Sequence, residues 1–398
     1  MAVLDLEAEL ATILDKWLPT NEKYLGASAR RLAEQWVSFS KTTDTDSDSF
    51  MEPLVVAWLT DPTPRIALGA LLPEASTREP GSVHMRVCAD AGGVVELPGR
   101  GQFAGNGDEE EVLVRWLDRD RVLVQRSGQR TDTEVALQSR PVIPGTRSVL
   151  AQGAHPLLRR FYGLGESGSS VVETVAPSRA HAEHVVEAYS LIARAVPVFH
   201  RYLANAVRRV TVHRAGTLNS FATPAAHGAI FLAAQDDEID VGFAEDIVHQ
   251  GGHVLCTTLT VDRGVFFATD PSVPFSSVTG APSDPRSLYD VFHGLFTGAA
   301  MILLLDRLLN LDELSARQRS EAIGRLALIA TRSASDLANL CQPDFFTDEG
   351  MYLLAFCRNA LAEAATSRRL ELRGIDLSNQ PYAFSYTAFA SQNPAYSA

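Results

Sequence analysis

The sequence predicts an α+β protein in which a β-rich N-terminal region precedes a mainly helical metal-binding domain. Two changes of texture predict it. Between about residues 54 and 150, short runs such as "VHMRV", "GVVEL", "EVLVRWL", "RVLVQR" and "TEVAL" alternate with turn-forming stretches such as "DAGG", "GNGDEE" and "RSGQRTD". That spacing reads as a mainly antiparallel sheet. From about residue 179 the apolar positions recur every three or four residues, the period of a helix with one buried face. Helices are expected over 179–209, 243–260, 285–309, 313–341 and 347–368.

Taken in order, residues 3 to 39 read as helical, with Leu6, Leu10, Leu14 and Leu18 on one face and Leu32 and Trp36 further along. The run "KTTDTDSDSF" ends that pattern as a polar loop. After the sheet region, "GLGESGSSVVETVAPSRA" at 163–180 is rich in small residues and reads as a linker. It divides the chain into an N-terminal region of 1–165, a helical domain of 166–378 and an aromatic-containing tail of 379–398. A short β pair, "RVTVH" and "GAIFLA", precedes the helix at 243. The tail carries Tyr382, Phe384, Tyr386, Phe389 and Tyr396 and is expected to be mobile or to dock on the body.

The 398 residues suffice for two domains and a substantial core, and 46% hydrophobic with 21% charged residues is ordinary for a soluble enzyme. A formal charge of −13 argues against a nucleic-acid or anionic-membrane binder. The acidic start "MAVLDLEAELATILDKW" has no signal-peptide pattern, and no apolar run is expected to span a bilayer. Four scattered cysteines (Cys88, Cys256, Cys341, Cys357) suit a reducing cytoplasm better than a disulfide framework.

Two motif matches lack the context their chemistry needs. "GLGESG" at 163–168 fits GxGxxG, but no strand feeds it, so the dinucleotide turn is missing. "HAEH" at 181–184 reads as a polar, solvated helix face.

The segment "EDIVHQGGHVL", residues 245–255, carries more. A separation of four residues turns His253 to within about 40° of His249 on a helix, so both imidazoles leave one face. Two nitrogens so placed can reach one metal ion. Glu245, four residues earlier, falls on the same face and could orient a ligand imidazole. Gly251 and Gly252 each cost roughly 1 kcal/mol in a helix relative to alanine, which points to a close approach by a substrate or a neighbouring strand. Forty residues on, "SDPRSLYDVFHGLF" offers Asp284 as N-cap and Pro285 at the first helical position. Arg286, Asp290 and His293 would then form one polar stripe on an otherwise apolar helix. His293 is the expected third ligand, with Cys256 and Asp290 as rivals.

The order "GAIFLAA", "FAEDIVHQGGHVL", "DPRSLYDVFHGLFTGAAM" and, later, "FFTDEGMYLLAF" resembles the HExxH-domain proteins encoded with peptide natural-product pathways, over roughly residues 218–365. The resemblance implies an iron(II)- and 2-oxoglutarate-dependent oxygenase. Its substrate would be an amino-acid residue in a peptide, on a carrier or free, hydroxylated at an unactivated carbon. It implies His249, His253 and His293 as iron ligands and Arg286 as partner of the distal carboxylate of 2-oxoglutarate. The departure is Gln250, which stands where the motif has glutamate. An amide cannot take a proton from water, so Gln250 speaks against peptide hydrolysis, whereas an oxygenase needs no such base. The other readings are a zinc-binding hydrolase relative without its base and a non-enzymatic, metal-stapled binding module. In each, the β-rich half is left to recognise a leader peptide, a carrier protein or a second copy in a homodimer.

Overall fold

The computed structural model describes residues 5–35, 47–72, 84–107, 109–151, 153–163, 179–216, 218–280, 284–340 and 343–396. The expected linker after residue 163, the 165/166 boundary, Trp36, Cys341 and the first half of the polar loop lie outside them. The chain opens with α1 (Leu6–Ala33), α2 (Pro53–Leu59) and α3 (Leu68–Leu71). The strands β1 (Met85–Cys88), β2 (Val94–Leu97), β3 (Gly101–Ala104), β4 (Glu111–Trp116), β5 (Arg121–Arg126), β6 (Thr133–Ala136) and β7 (Val149–Ala151) follow. Next come α4 (Pro156–Arg159), α5 (Arg179–Ala195), α6 (Pro197–Ala206), β8 (Arg209–Arg214), β9 (Phe221–Ala222) and β10 (Ala229–Ala234). The remainder is helical: α7 (Asp240–Leu259), α8 (Ser276–Thr279), α9 (Leu288–Leu308), α10 (Ala316–Leu340), α11 (Asp348–Ser367) and α12 (Tyr386–Gln392). The protein is α+β, as the change of periodicity predicts.

Two compact units divide the chain, and both are discontinuous in sequence. One comprises 20–183 and 204–236; the other comprises 1–19, 184–203 and 237–398. The division does not follow the linear scheme of domains read from the sequence, and the first turns of α1 belong with the C-terminal helices.

In the β-rich unit, β1, β4, β5 and β6 form an antiparallel sheet in the order β1-β4-β5-β6, and β2 pairs with β3. A second sheet, β7-β8-β10-β9, is parallel across β7–β8 and β8–β10. β10 is buried along its whole length, which explains its unbroken apolar reading, "AIFLAA". Residues 53–59, expected in the β-textured region, form α2 instead. Pro53 occupies the first helical turn, where its missing N–H costs nothing, and Leu54, Val55, Ala57 and Trp58 are buried. Arg209 on β8 is 1% exposed and pairs with Glu96 on β2. Burial pushes the Glu96 carboxyl up, but the Arg209 guanidinium outweighs it and holds the group at about 2.

In the helical unit, α9 is packed by α7, α10 and α11. This 21-residue helix, with a mean hydropathy of 1.6 over its most apolar window, is long and apolar enough to cross a bilayer, contrary to the expectation from sequence. Its apolarity has another use here, since 78% of that window is buried among the other helices. Residues 179–209 do not form one helix, because Pro197 cannot continue the α5 ladder and starts α6. The stripe of Leu6, Leu10, Leu14 and Leu18 on α1 is buried, and Glu9 receives a bond from Asn359 of α11. The aromatic tail is docked. Phe384 and Phe389 are buried against Leu328 of α10, while Tyr382 stays exposed. Gly324 makes the room, since a Cβ there would lie 2.8 Å from Phe384.

Candidate metal centre

Helix α7 carries both histidines of the "HQGGH" segment, as their four-residue spacing requires. The His249 and His253 rings lie 4.9 Å apart at 38°. Gly252 accounts for the second element of the site. A Cβ there would stand 3.1 Å from Thr297 Cγ2, so the glycine admits α9, a neighbouring helix rather than a strand. That approach brings the His293 ring of α9 to 4.7 Å from His253. The three imidazoles therefore form a continuous row with His253 in the middle. All three are partly open to solvent, and Gly294 beside His293 is exposed.

Burial pushes each imidazole toward its neutral form. His253 falls to about 2 through desolvation and then the proximity of His293 and His249. His293 falls to about 4, and His249 is lowered by burial against the opposing charge of Glu245. Neutral imidazole is the form that ligates a divalent cation. The donor chemistry of the row thus fits a metal ion. The His293 Nε2 lies 3.3 Å from the carbonyl oxygen of His253, the contact that fixes its ring.

Gln250 is 2% exposed, and its side-chain amide lies 3.4 Å from His249 Nδ1. A rotation of the Gln250 amide that exchanges O for N lets its Oε1 accept from His249 Nδ1–H and leaves the lone pair of His249 Nε2 for a cation.

Several other expected roles are redistributed. The α9 N-cap is Ser287, not Asp284, with a reciprocal capping box to Asp290. Asp290 is occupied by the Ser287 backbone N–H at 2.8 Å and hydroxyl at 2.7 Å, and it stands outside the histidine row. Arg286 precedes the helix and is not on one stripe with Asp290 and His293. Its guanidinium is held by Asp284 at 2.8 Å and by Asp336 of α10 at 2.7 Å. Cys256 is fully buried, its thiol pushed up by burial and by Cys357 of α11, the side of α7 to which it is committed. His184 of "HAEH" is not a purely solvated side chain, since it contacts Asp240 and stacks on Phe243.

Glu245 faces a buried cation. Arg325 of α10 bonds it at 2.5 Å and also meets Glu321 at 2.9 Å and Glu238 at 3.4 Å. Among the described residues, the group of three whose ligand atoms lie within 4.8 Å of one another is Glu245, Asp246 and His249, not the row of imidazoles. The Arg325 contact occupies Glu245 of this set, whereas His249 belongs to both the set and the row. Sequence reasoning passed over Asp246, although its place three residues before His249 puts it on the same side of the helix. Apart from Glu321, four residues earlier on α10, the partners of Arg325 lie 80 and 87 residues away, beyond the reach of a local pattern.

No protein-family model and no curated protein sequence matches the chain.

Proposed function

We propose that the protein is an iron(II)- and 2-oxoglutarate-dependent oxygenase. Its substrate is an amino-acid residue in a peptide, on a carrier or free, hydroxylated at an unactivated carbon in natural-product biosynthesis. The observation that supports this reading best is a row of three neutral imidazoles, His249, His253 and His293, with an amide where a hydrolase has its base. With iron(II) held there, dioxygen would be the oxidant: one oxygen atom ends in the substrate hydroxyl and the other in succinate, with carbon dioxide lost from 2-oxoglutarate. The chain's own part is to hold and orient. Gln250 sets the His249 ring, and Tyr289 lies edge-on to His293 at 5.3 Å with its hydroxyl 2.9 Å from Thr260 Oγ1. Phe267, Phe292 and Phe346 pack against one another behind that tyrosine and keep this flank dry.

Three protein ligands leave three positions of an octahedral ion for other groups. Hydrolysis is disfavoured, because Gln250 cannot accept a proton from a bound water. The test is anaerobic titration with iron(II) and 2-oxoglutarate, followed by air. A weak visible charge-transfer band and succinate formation are expected; metal binding with neither would refute the oxygenase.

A further inference from the structure

Arg286 is committed to two aspartates, and a second guanidinium, that of Arg263, lies close enough to influence His293. The C-terminal end of α7 leads through Thr260 into a short turn, Arg263–Val265. Asp262 caps this turn by accepting from the Gly264 N–H at 3.1 Å, and the Arg263 carbonyl accepts from Phe266 and Phe267. The backbone under Arg263 is therefore fixed. Its guanidinium sits 3.9 Å from the centroid of the Tyr289 ring. That ring is held in turn by the Thr260 bond and stands edge-on to His293. His293 feels the Arg263 charge directly.

Arg263 differs from the other arginines of this region in its partners. Arg286 has two carboxylates and Arg325 has three. Among the described residues, Arg263 has none within ion-pair distance, and its side chain is exposed. Asp270 feels its charge, but that carboxylate is held first by the hydroxyl and backbone N–H of Ser272. Stacking on tyrosine uses the face of a guanidinium and leaves its five N–H donors pointing outward in the plane. A pre-oriented, unpaired fork beside a row of neutral imidazoles is a receptor for a carboxylate.

We propose that Arg263, stacked on Tyr289, receives the carboxylate of a small metal-chelating acid whose other end sits at the histidine row. On the reading of the site given above, that acid is 2-oxoglutarate and the group received is its distal carboxylate. The assignment moves this role from Arg286 to Arg263. Tyr289 is then a positioning residue, acting on the ligand through the guanidinium it supports.

The experiment uses the full chain loaded with nickel(II), which holds the site without turnover, and measures 2-oxoglutarate affinity by calorimetry. Arg263→Gln is expected to weaken 2-oxoglutarate by about 10- to 100-fold, the range for losing a charge-assisted bond. Nickel affinity and melting temperature are expected to stay at wild-type values, with R263K intermediate and R286Q close to wild type in 2-oxoglutarate affinity. Wild-type binding that Arg263→Gln retains would overturn the assignment and leave the oxygenase reading standing. A wild-type protein that binds nickel but not 2-oxoglutarate would sink the oxygenase reading, and this assignment with it. A parallel fall in nickel affinity or melting temperature in Arg263→Gln would mark the residue as structural and also overturn the proposal.

Discussion

Replacing Arg325 by methionine removes one guanidinium from among three carboxylates. The arginine side chain is 7% exposed, and those of Glu245, Glu321 and Glu238 are 11%, 1% and 4% exposed. Methionine fills most of the aliphatic volume, so the loss is chiefly electrostatic. Removing one partner of a buried ion pair costs about 3 to 5 kcal/mol. Here the upper half of that range is expected, because the orphaned carboxylates also repel one another. With a urea dependence of about 2 kcal/mol per molar, the midpoint should fall by roughly 2 M at pH 7. Protonating a carboxylate removes its share of the repulsion, so the variant recovers as the pH is lowered. The recovery approaches 1.4 kcal/mol per pH unit for each proton taken up. Urea unfolding of wild type, Arg325→Met and the double variant Arg325→Met/Glu245→Gln at pH 7 and pH 5 reads both effects. A deficit under about 1 kcal/mol at pH 7, or one equal at the two pH values, would show that the carboxylates reach water and that the reasoning is wrong.

The remaining predictions concern the centre and the β-rich unit. His253→Ala, which removes the middle ring of the row, should weaken nickel(II) by more than the roughly 10- to 100-fold typical of losing an outer partner, with the helical circular dichroism preserved. Wild-type nickel affinity in that variant would count against the row. Gln250→Glu should keep metal binding and create no robust peptidase, read with a fluorogenic peptide mixture; efficient cleavage would favour a degenerate hydrolase. Buried His155 and His213 are depressed to about 3 and about 4 from an unfolded value of 6.5, each chiefly by desolvation. They stay neutral while the unfolded chain takes up protons. Their contribution is complete above pH 6.5 and is lost as the pH falls toward 4, at up to about 1.4 kcal/mol per pH unit for each. Glu96, held at about 2 against an unfolded value of 4.5, adds a loss of the same sign only below about pH 5. Urea midpoints from pH 7.5 to 4.5 test this, and a flat profile above pH 5 would contradict it.

Elements whose residues face one continuous core could be read locally. The α7 and α11 limits were approached within a few residues because their apolar positions repeat at helical spacing and Thr347 is a plain N-cap. The same register placed His249 and His253 on one face, and a forty-residue jump found His293 because few polar residues interrupt α9. What failed was competition between neighbours. Asp284 and Ser287 both suit an N-cap, and only the reciprocal Ser287–Asp290 bonds choose between them, which moves Arg286 off the helix. Arg263 offered no pattern, since its meaning depends on Tyr289 in another element. The two units were illegible because each is stitched from separated segments, and periodicity reports a residue's local surroundings rather than its distant partners.

The stitching sets an order of events on the ribosome. Every residue of the β-rich unit has been polymerised once Asp236 is added, whereas the helical unit still lacks α7 to α12. Translation at roughly 5 to 20 residues per second leaves an interval on the order of ten seconds. Throughout it Glu9, on the N-terminal half of α1, waits for its partner Asn359 of α11. The residues of the histidine row, on α7 and α9, are themselves polymerised only after the last segment of the β-rich unit.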